Sequence, residues 1–258
     1  MSVQFSVEDH VARVTIDRPE RLNAIDAATE SALIGIWERV ERDRDIRVVV
    51  VTGAGDRAFS VGADMKDAAD TRKGLDYWAA PRPGGFGGLA LRDLPVPVIA
   101  RVNGHALGGA LEMVLGCDIV VAARHATFGC PEPRVGRLAF TGGISLLPRR
   151  VGHAHAMGLL LTGRRIDAAE AFRIGLVNQV TDLAELDGAV AAWIEDILAC
   201  APLTLRATKA MVRAGAGLDP VTAQMLRLPE LVEALSSADQ DEGVRAFTEK
   251  RRPRWTGT

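Results

Sequence analysis

Apolar and polar residues alternate over Val3-Phe5-Val7 and again over Ala12-Val14-Ile16, with Asp9-His10 between the two runs. A period of two puts one face of each run in a core, so this stretch predicts a β-hairpin, closed by Arg18-Pro19. The period then lengthens. Leu33, Ile36, Trp37 and Val40 recur at the spacing of a helix face, behind Asp26, a residue type that caps helix N-termini. Arg47 to Thr52 is a short apolar run ended by Gly53-Ala54-Gly55, the pattern of a strand buried on both faces. Val96 to Val102 predicts a further strand, Asn103-Gly104 a turn, and Ala106 to Leu115 a helix. Asp118 to Ala123 and Ala126 to Phe128 predict two more short strands. After Gly142-Gly143 helical spacing takes over: Ile144 to Arg150, His153 to Leu161, Ala168 to Ile174, Ala184 to Ala199, Pro202 to Ala214 and Asp239 to Lys250.

Strand–helix alternation followed by helices predicts an α/β core with a helical C-terminal module, divided here as 1–195 and 196–258. Between Ala68 and Leu94 periodicity is lost, and Pro81-Arg82-Pro83-Gly84-Gly85-Phe86-Gly87-Gly88 has a loop composition. The aromatics there, Tyr77, Trp78 and Phe86, suggest that this loop folds over something apolar.

Composition enters by exclusion. With 258 residues and 48% hydrophobic side chains, one core suffices without disulfide or metal staples. A net charge of −2 argues against nucleic-acid binding, which draws on a basic excess to release counterions from phosphates. Cys117, Cys130 and Cys200 are odd in number and lack CxxC spacing, so neither a disulfide framework nor a metal site is expected. His153 and His155, two apart on a helix, face different directions and make poor metal partners. The N-terminus has no basic region leading into an apolar stretch, and the most apolar segment, Ala106 to Ala123, carries Glu112 and Asp118. The expectation is a cytoplasmic protein with no membrane partner.

Four local features carry chemistry. Ala58 to Met65 follows the buried strand and its glycine turn; Gly62-Ala63 are small enough for a ligand to approach the backbone, although an ordinary strand-to-helix loop looks the same. In Asn103-Gly104-His105-Ala106-Leu107-Gly108-Gly109-Ala110-Leu111-Glu112, the glycine pair stands at a helix start, where free N–H groups suit an anion or a developing oxyanion. Close helix packing would use Gly-Gly-Ala equally well, and the spacing is not that of a dinucleotide fingerprint. Glu112 sits in an otherwise apolar helix segment, and Glu132 lies between Pro131 and Pro133 after a strand. A carboxyl in apolar surroundings is tuned for proton transfer, unless it simply pairs with an arginine such as Arg134 or Arg137. Together, two amide donors and two acids are what chemistry at Cα and Cβ of a thioester requires.

These motifs, in order along nearly the whole chain, resemble the crotonase, or enoyl-CoA hydratase/isomerase, family. The matching stretches are Arg18-Pro19 with Leu22-Asn23-Ala24, Ala58 to Asp64, Asn103 to Glu112, Cys117-Asp118 and Phe128 to Glu132; Leu161-Thr162-Gly163, Gly175 to Asn178 and Ala246 to Arg251 follow. The resemblance implies a spiral of ββα units with a helical C-terminal trimerisation module, a homotrimer and commonly a dimer of trimers. It puts the oxyanion-hole amides on Ala63 and Gly109, the catalytic acids on Glu112 and Glu132, and CoA contacts on Arg21, Ala24, Asp64 and Met65. Phe247 and Lys250, one of only four lysines, match positions that reach CoA from a neighbouring subunit. Trp78, Phe86 and Phe140 are the candidate acyl-pocket residues. Coenzyme A is part of the substrate, so no separate cofactor is implied.

Both glutamates favour hydration or dehydration of a 2-enoyl-CoA over isomerisation, for which family members often keep only the second. Phe140 replaces a glycine whose amide helps to hold water, Pro133 replaces an aliphatic residue, and the 77–89 loop departs in length and aromatics. Pro133, Arg134 and Gly-Gly-Phe-Gly-Gly are similar to a branch that includes carnitinyl-CoA dehydratase-like proteins. A carnitinyl-CoA dehydratase-like enzyme, an isomerase and a non-catalytic RNA-binding relative are the alternatives; near-neutral charge weighs against the last, and the intact acids against a mere scaffold.

Overall fold

The computed structural model describes residues 2–66, 74–79 and 82–258, with the backbone alone for 77–79. The chain begins with β1 (Val3–Glu8), β2 (Val11–Ile16), α1 (Ala27–Arg42), β3 (Val48–Gly53), β4 (Ala58–Ser60) and α2 (Gly74–Ala79). It continues through β5 (Val98–Val102), β6 (His105–Leu107), α3 (Gly109–Leu115), β7 (Ile119–Ala123), β8 (Thr127–Gly129), α4 (Gly143–Val151) and α5 (His153–Thr162). Then come β9 (Arg165–Asp167), α6 (Ala168–Arg173), β10 (Gln179–Thr181), α7 (Leu186–Leu198), α8 (Pro202–Gly215), α9 (Pro220–Gln224), α10 (Pro229–Leu235) and α11 (Ala238–Thr248).

The strands sort into two sheets, a six-stranded one in the order β1-β2-β3-β5-β7-β10 and a four-stranded one in the order β4-β6-β8-β9. From β3 to β8 each successive strand lands in the other sheet. This is the expected spiral of ββα turns. Within the large sheet β1 and β2 form the antiparallel hairpin, and the remaining pairs are parallel. Parallel neighbours must be joined by crossovers, which gives the α/β character.

Strand β3 shows why an unbroken apolar run is needed. Val49 and Val51 point into the main core with Leu33, Trp37 and Phe59, whereas Val48 and Val50 point to the opposite face. There Leu186, Val190, Ile194 and Ile197 of α7 cover them. Each such side chain, taken fully from water, contributes about 1.5–3 kcal/mol. Residue 195 thus falls within a helix that seals the sheet, and the chain leaves the sheet only after α7. From α8 onward a set of polar contacts ties the chain to the body. Lys209 Nζ reaches Val96 O (2.7 Å) and Asp118 Oδ2 (2.6 Å), Arg44 pairs with Glu233 (2.9 Å), and Trp255 Nε1 donates to Ala199 O (2.8 Å). No single helix among the described residues is long and apolar enough to cross a membrane.

The sequence reading omits the short elements β4, β9, β10, α9 and α10, and two further stretches differ from it. The predicted helix at Ala106 instead begins as strand β6, because His105–Leu107 is captured between β4 and β8, and helix α3 starts only at Gly109. The aperiodic stretch before Leu94 contains α2 and a 3-10 turn at Phe86–Gly88.

Candidate active site

Two buried asparagines fix the turn that leads into the site. Asn103 Nδ2 donates to the carbonyls of Gly53 (2.9 Å), Gly55 (2.7 Å) and Ala58 (3.1 Å), and Asn23 Nδ2 donates to those of Ala54 (2.9 Å) and Ala58 (2.8 Å). They satisfy carbonyls that a tight, buried turn leaves without backbone partners. Beyond it, Ile25 N donates to Gly62 O (2.8 Å) and Asp64 N to Ile25 O (2.9 Å), a parallel bridge that uses the groups on either side of Ala63. Ala63's own N–H is therefore left out of this bridge. A Cβ on Gly62, whose φ is +85°, would lie 3.0 Å from the Gly109 nitrogen, so the two loops touch.

Gly108 has φ +60° and caps α3, leaving the Gly109 N–H at the helix start. Ala63, Gly108, Gly109, Glu112, Glu132 and Thr141 all line one cavity of about 880 Å³. Its apolar wall includes Val61, Phe86, Val135, Leu138 and Phe140. The structure thus brings together both candidate oxyanion-hole amides, both glutamates and two of the three acyl-pocket candidates. The side chain of the third, Trp78, lies outside the described residues.

The two acids are held differently. Glu112 is 3% exposed on α3. Its Oε1 accepts from Gly143 N (2.9 Å), and its Oε2 accepts from the Thr141 hydroxyl. Burial raises the Glu112 pKa, while these donors, and the more distant charge of Arg82, pull it back. Glu132 opens a 3-10 turn over Glu132–Val135, with Pro131 as its cap. Its Oε2 is buried without a hydrogen-bond partner, and its Oε1 lies 3.2 Å from where a Gly108 Cβ would stand. Burial, reinforced by the negative charge of Glu112, pushes Glu132 up to about 7. A buried carboxyl that titrates near neutrality can both give and take a proton at physiological pH. Arg134 is not its counter-ion, since Nε donates to Thr162 O (3.0 Å) and the stem packs over Gly163. Cys130 is fully buried beside this pair, and burial plus both carboxyls drives its thiol pKa up, making it a packing residue.

A stability prediction follows from Glu132. Its folded pKa lies above the usual carboxyl value, so the folded state binds the extra proton. The associated stability is complete below about pH 4.5 and is lost as pH rises through 7. Glu132→Gln should therefore be more stable than wild type at pH 8, by about 1–3 kcal/mol, and equal to it near pH 4, as read by urea denaturation.

The candidate CoA residues separate into two places. Arg21 is partly exposed on a 3-10 turn at Pro19–Arg21, Met65 is 64% exposed at the cavity, and Ala24 is buried with its carbonyl bound by Arg18 (2.6 Å). The Asp64 carboxylate is bound by Arg18 (3.1 Å) and by the Lys66 N–H (3.1 Å), so the side chain braces the loop. Phe247, 86% exposed on α11, and Lys250 just after it do not line the cavity described here. Thr141 escaped the sequence reading. It stands in the run Leu138 to Ile144, but nothing in that run tells which acid its hydroxyl will meet. Among the described residues no group of three or more His, Cys, Asp or Glu side chains could hold a metal ion.

A spiral of strands alternating between two sheets, with two unequal carboxyls and the Ala63 and Gly109 backbone on one apolar cavity, is a crotonase-type fold. The family described as Enoyl-CoA hydratase/isomerase matches residues 6–258, and the chain belongs to it. It is 39% identical over 260 residues to (E)-benzylidenesuccinyl-CoA hydratase of Thauera aromatica, covering 100% of both chains. It is 38% identical over 262 residues to carnitinyl-CoA dehydratase of Citrobacter koseri, covering 99% of this chain and 98% of the relative. Among solved structures, an enoyl-CoA hydratase from Mycobacterium tuberculosis superposes with a TM-score of 0.90 at 36% identity, covering 100% and 99% of the two chains. One from Bacillus anthracis gives 0.91 at 31% identity, with 100% of both chains covered. The family and its named relatives support a lyase of the hydratase/dehydratase kind.

Proposed function

We propose that the protein adds water reversibly across the Cα–Cβ double bond of a 2-enoyl-CoA thioester. The observation that carries this reading is the pair of carboxyls in one cavity with Ala63 and Gly109, one acid held by two donors and the other with a bare buried oxygen. The two amide N–H groups polarise the thioester oxygen and stabilise the enolate that forms. Ionised Glu112 takes a proton from water as the oxygen attacks Cβ, and protonated Glu132 delivers its proton to Cα. A carboxyl with a pKa of about 7 then regains a proton readily. Coenzyme A is part of the substrate, and this chemistry needs no further cofactor. Arg21, Ala24, Asp64 and Met65 form the edge at which CoA enters. Phe247 on the C-terminal helix and Lys250 just after it, both turned outwards, reach CoA bound by a neighbouring copy in a homotrimer.

The acyl group is bulkier than crotonyl. Phe86, Phe140, Leu138 and Val135 give the cavity wide apolar walls, and the two relatives named above act on benzylidenesuccinyl and carnitinyl thioesters. Crotonyl-, cinnamoyl- and carnitinyl-CoA, followed at the enoyl-thioester absorbance with purified protein, test the reading. Turnover of cinnamoyl-CoA faster than crotonyl-CoA is expected. Absence of hydration or dehydration with all three would overturn the proposal.

A further inference from the structure

The region 141–143 closes around Glu112. Gly142, with φ +156°, brings its Cα so near that an added Cβ would lie 3.3 Å from the Glu112 Cβ. On either side, the Thr141 hydroxyl and the Gly143 N–H each donate to a separate oxygen of the carboxyl. Thr141 is itself buried and lines the cavity. The Gly143 N–H is backbone and present whatever the residue. The hydroxyl is supplied by sequence choice alone. Glu132, in contrast, has no donor at Oε2.

We propose that Thr141 is a positioning residue that keeps the single proton shared by the two acids on Glu132, so that Glu112 is ionised and ready to activate water. This inference rests on the two-acid reading above. Two like charges in one low-dielectric cavity cannot both ionise cheaply, so one proton is retained by the pair. Which carboxyl holds it is decided by hydrogen bonds. Donors to a carboxylate favour its charged form, and Glu112 has the Thr141 hydroxyl and the Gly143 N–H, with the Thr141 backbone acting in the same direction. Besides these, the titratable or charged groups facing Glu112 among the described residues are Glu132 and Cys130 on the segment after β8, and Arg82 ahead of Phe86. Cys130 stays a thiol because its own pKa is raised, and Arg82 acts with Thr141 by favouring the charged form.

The test compares wild type, Thr141→Val, which keeps the shape and loses the hydroxyl, and Thr141→Ser, which restores it. Carbon-13 NMR titration of the glutamate carboxyls reads the proton directly and needs no turnover. In wild type Glu112 should titrate below Glu132. In Thr141→Val its midpoint should rise by about one to two pH units, the 10–100-fold effect of a hydrogen bond to a charged group. The acidic limb of the kcat/KM profile for hydration should shift upward with it, and Thr141→Ser should return both to wild-type values. An unshifted Glu112 midpoint in Thr141→Val, with the fold intact by circular dichroism, would overturn the proposal. If wild type hydrates no thioester, the two-acid reading fails, whereas the titration order still decides the role of Thr141.

Discussion

Glu112→Gln and Glu132→Gln should each lower the hydration kcat by about 10²–10⁴-fold, the span of general acid–base catalysis. Each replacement keeps the side-chain shape and removes the proton-transfer function. The two variants should fail in different ways. Glu112→Gln can still accept from Gly143 N and Thr141 through its single amide oxygen, but its NH2 group then faces one of those donors, so the side chain is displaced as well as neutralised. Glu132→Gln loses no hydrogen bond at Oε2, because none is made there. Its loss should be purely one of protonation. The pH profile of wild-type kcat/KM should therefore fall above about pH 7, where Glu132 ionises, and that descending limb should be absent from the residual activity of Glu132→Gln. Stopped-time assays across pH 5–9 read both effects. Wild-type activity in either variant would remove that acid from the mechanism.

The second large effect concerns the oxyanion hole. A side-chain replacement cannot delete a backbone amide, but it can move one. In Gly109→Ala the new methyl would meet Cγ, Cδ1 and Cδ2 of the Phe86 ring at 2.6 Å, well inside contact distance. The ring is buried against the start of α3, so relieving this contact should move that start and carry the Gly109 N–H away from the thioester oxygen. Loss of one such donor costs about 10²–10³-fold in kcat. The double variant Gly109→Ala with Phe86→Ala supplies space for the methyl, and a partial return of kcat would attribute the loss to this displacement. If Gly109→Ala alone retains wild-type kcat, the Gly109 amide is not part of the hole.

Much of the fold could be read from one dimension. The hairpin of β1 and β2 and the cap of α1 are local: period-two alternation and Asp26, whose carboxylate accepts from Thr29 N (2.8 Å), need no distant partner. The unbroken valines of β3 announced a strand covered on both sides, as α7 bears out. Strand β6 is illegible because three residues, His105-Ala106-Leu107, carry no period, and their pairing with β4 and β8 is decided by segments far away in sequence. The site divides in the same way. Gly108, Gly109, Glu112 and Glu132 were visible because their types are unusual where they stand. That Thr141 would meet Glu112, and that Arg134 would turn to Thr162 O and leave Glu132 unpaired at Oε2, depends on how α3, α4 and α5 come together. The Asp64 side chain illustrates the limit: the motif marks the position, but that its carboxylate braces the loop against Arg18 depends on the folded chain.

The alternation of successive strands between two sheets has a kinetic consequence. Apart from β2 with β3, every parallel pair in the large sheet skips at least one strand, since β3 must wait for β5, β5 for β7 and β7 for β10. Every such pairing closes a long loop before it gains a ladder, which makes the nucleus entropically costly and refolding slow compared with a helical domain of similar size. Ala63, Gly109 and Glu112 lie on connections that cross from one sheet to the other, and Glu132 follows the last strand of that alternation. They converge only when both sheets exist. A chain leaving denaturant should recover its strands and helices well before it recovers turnover, and it should be most exposed to aggregation in that interval.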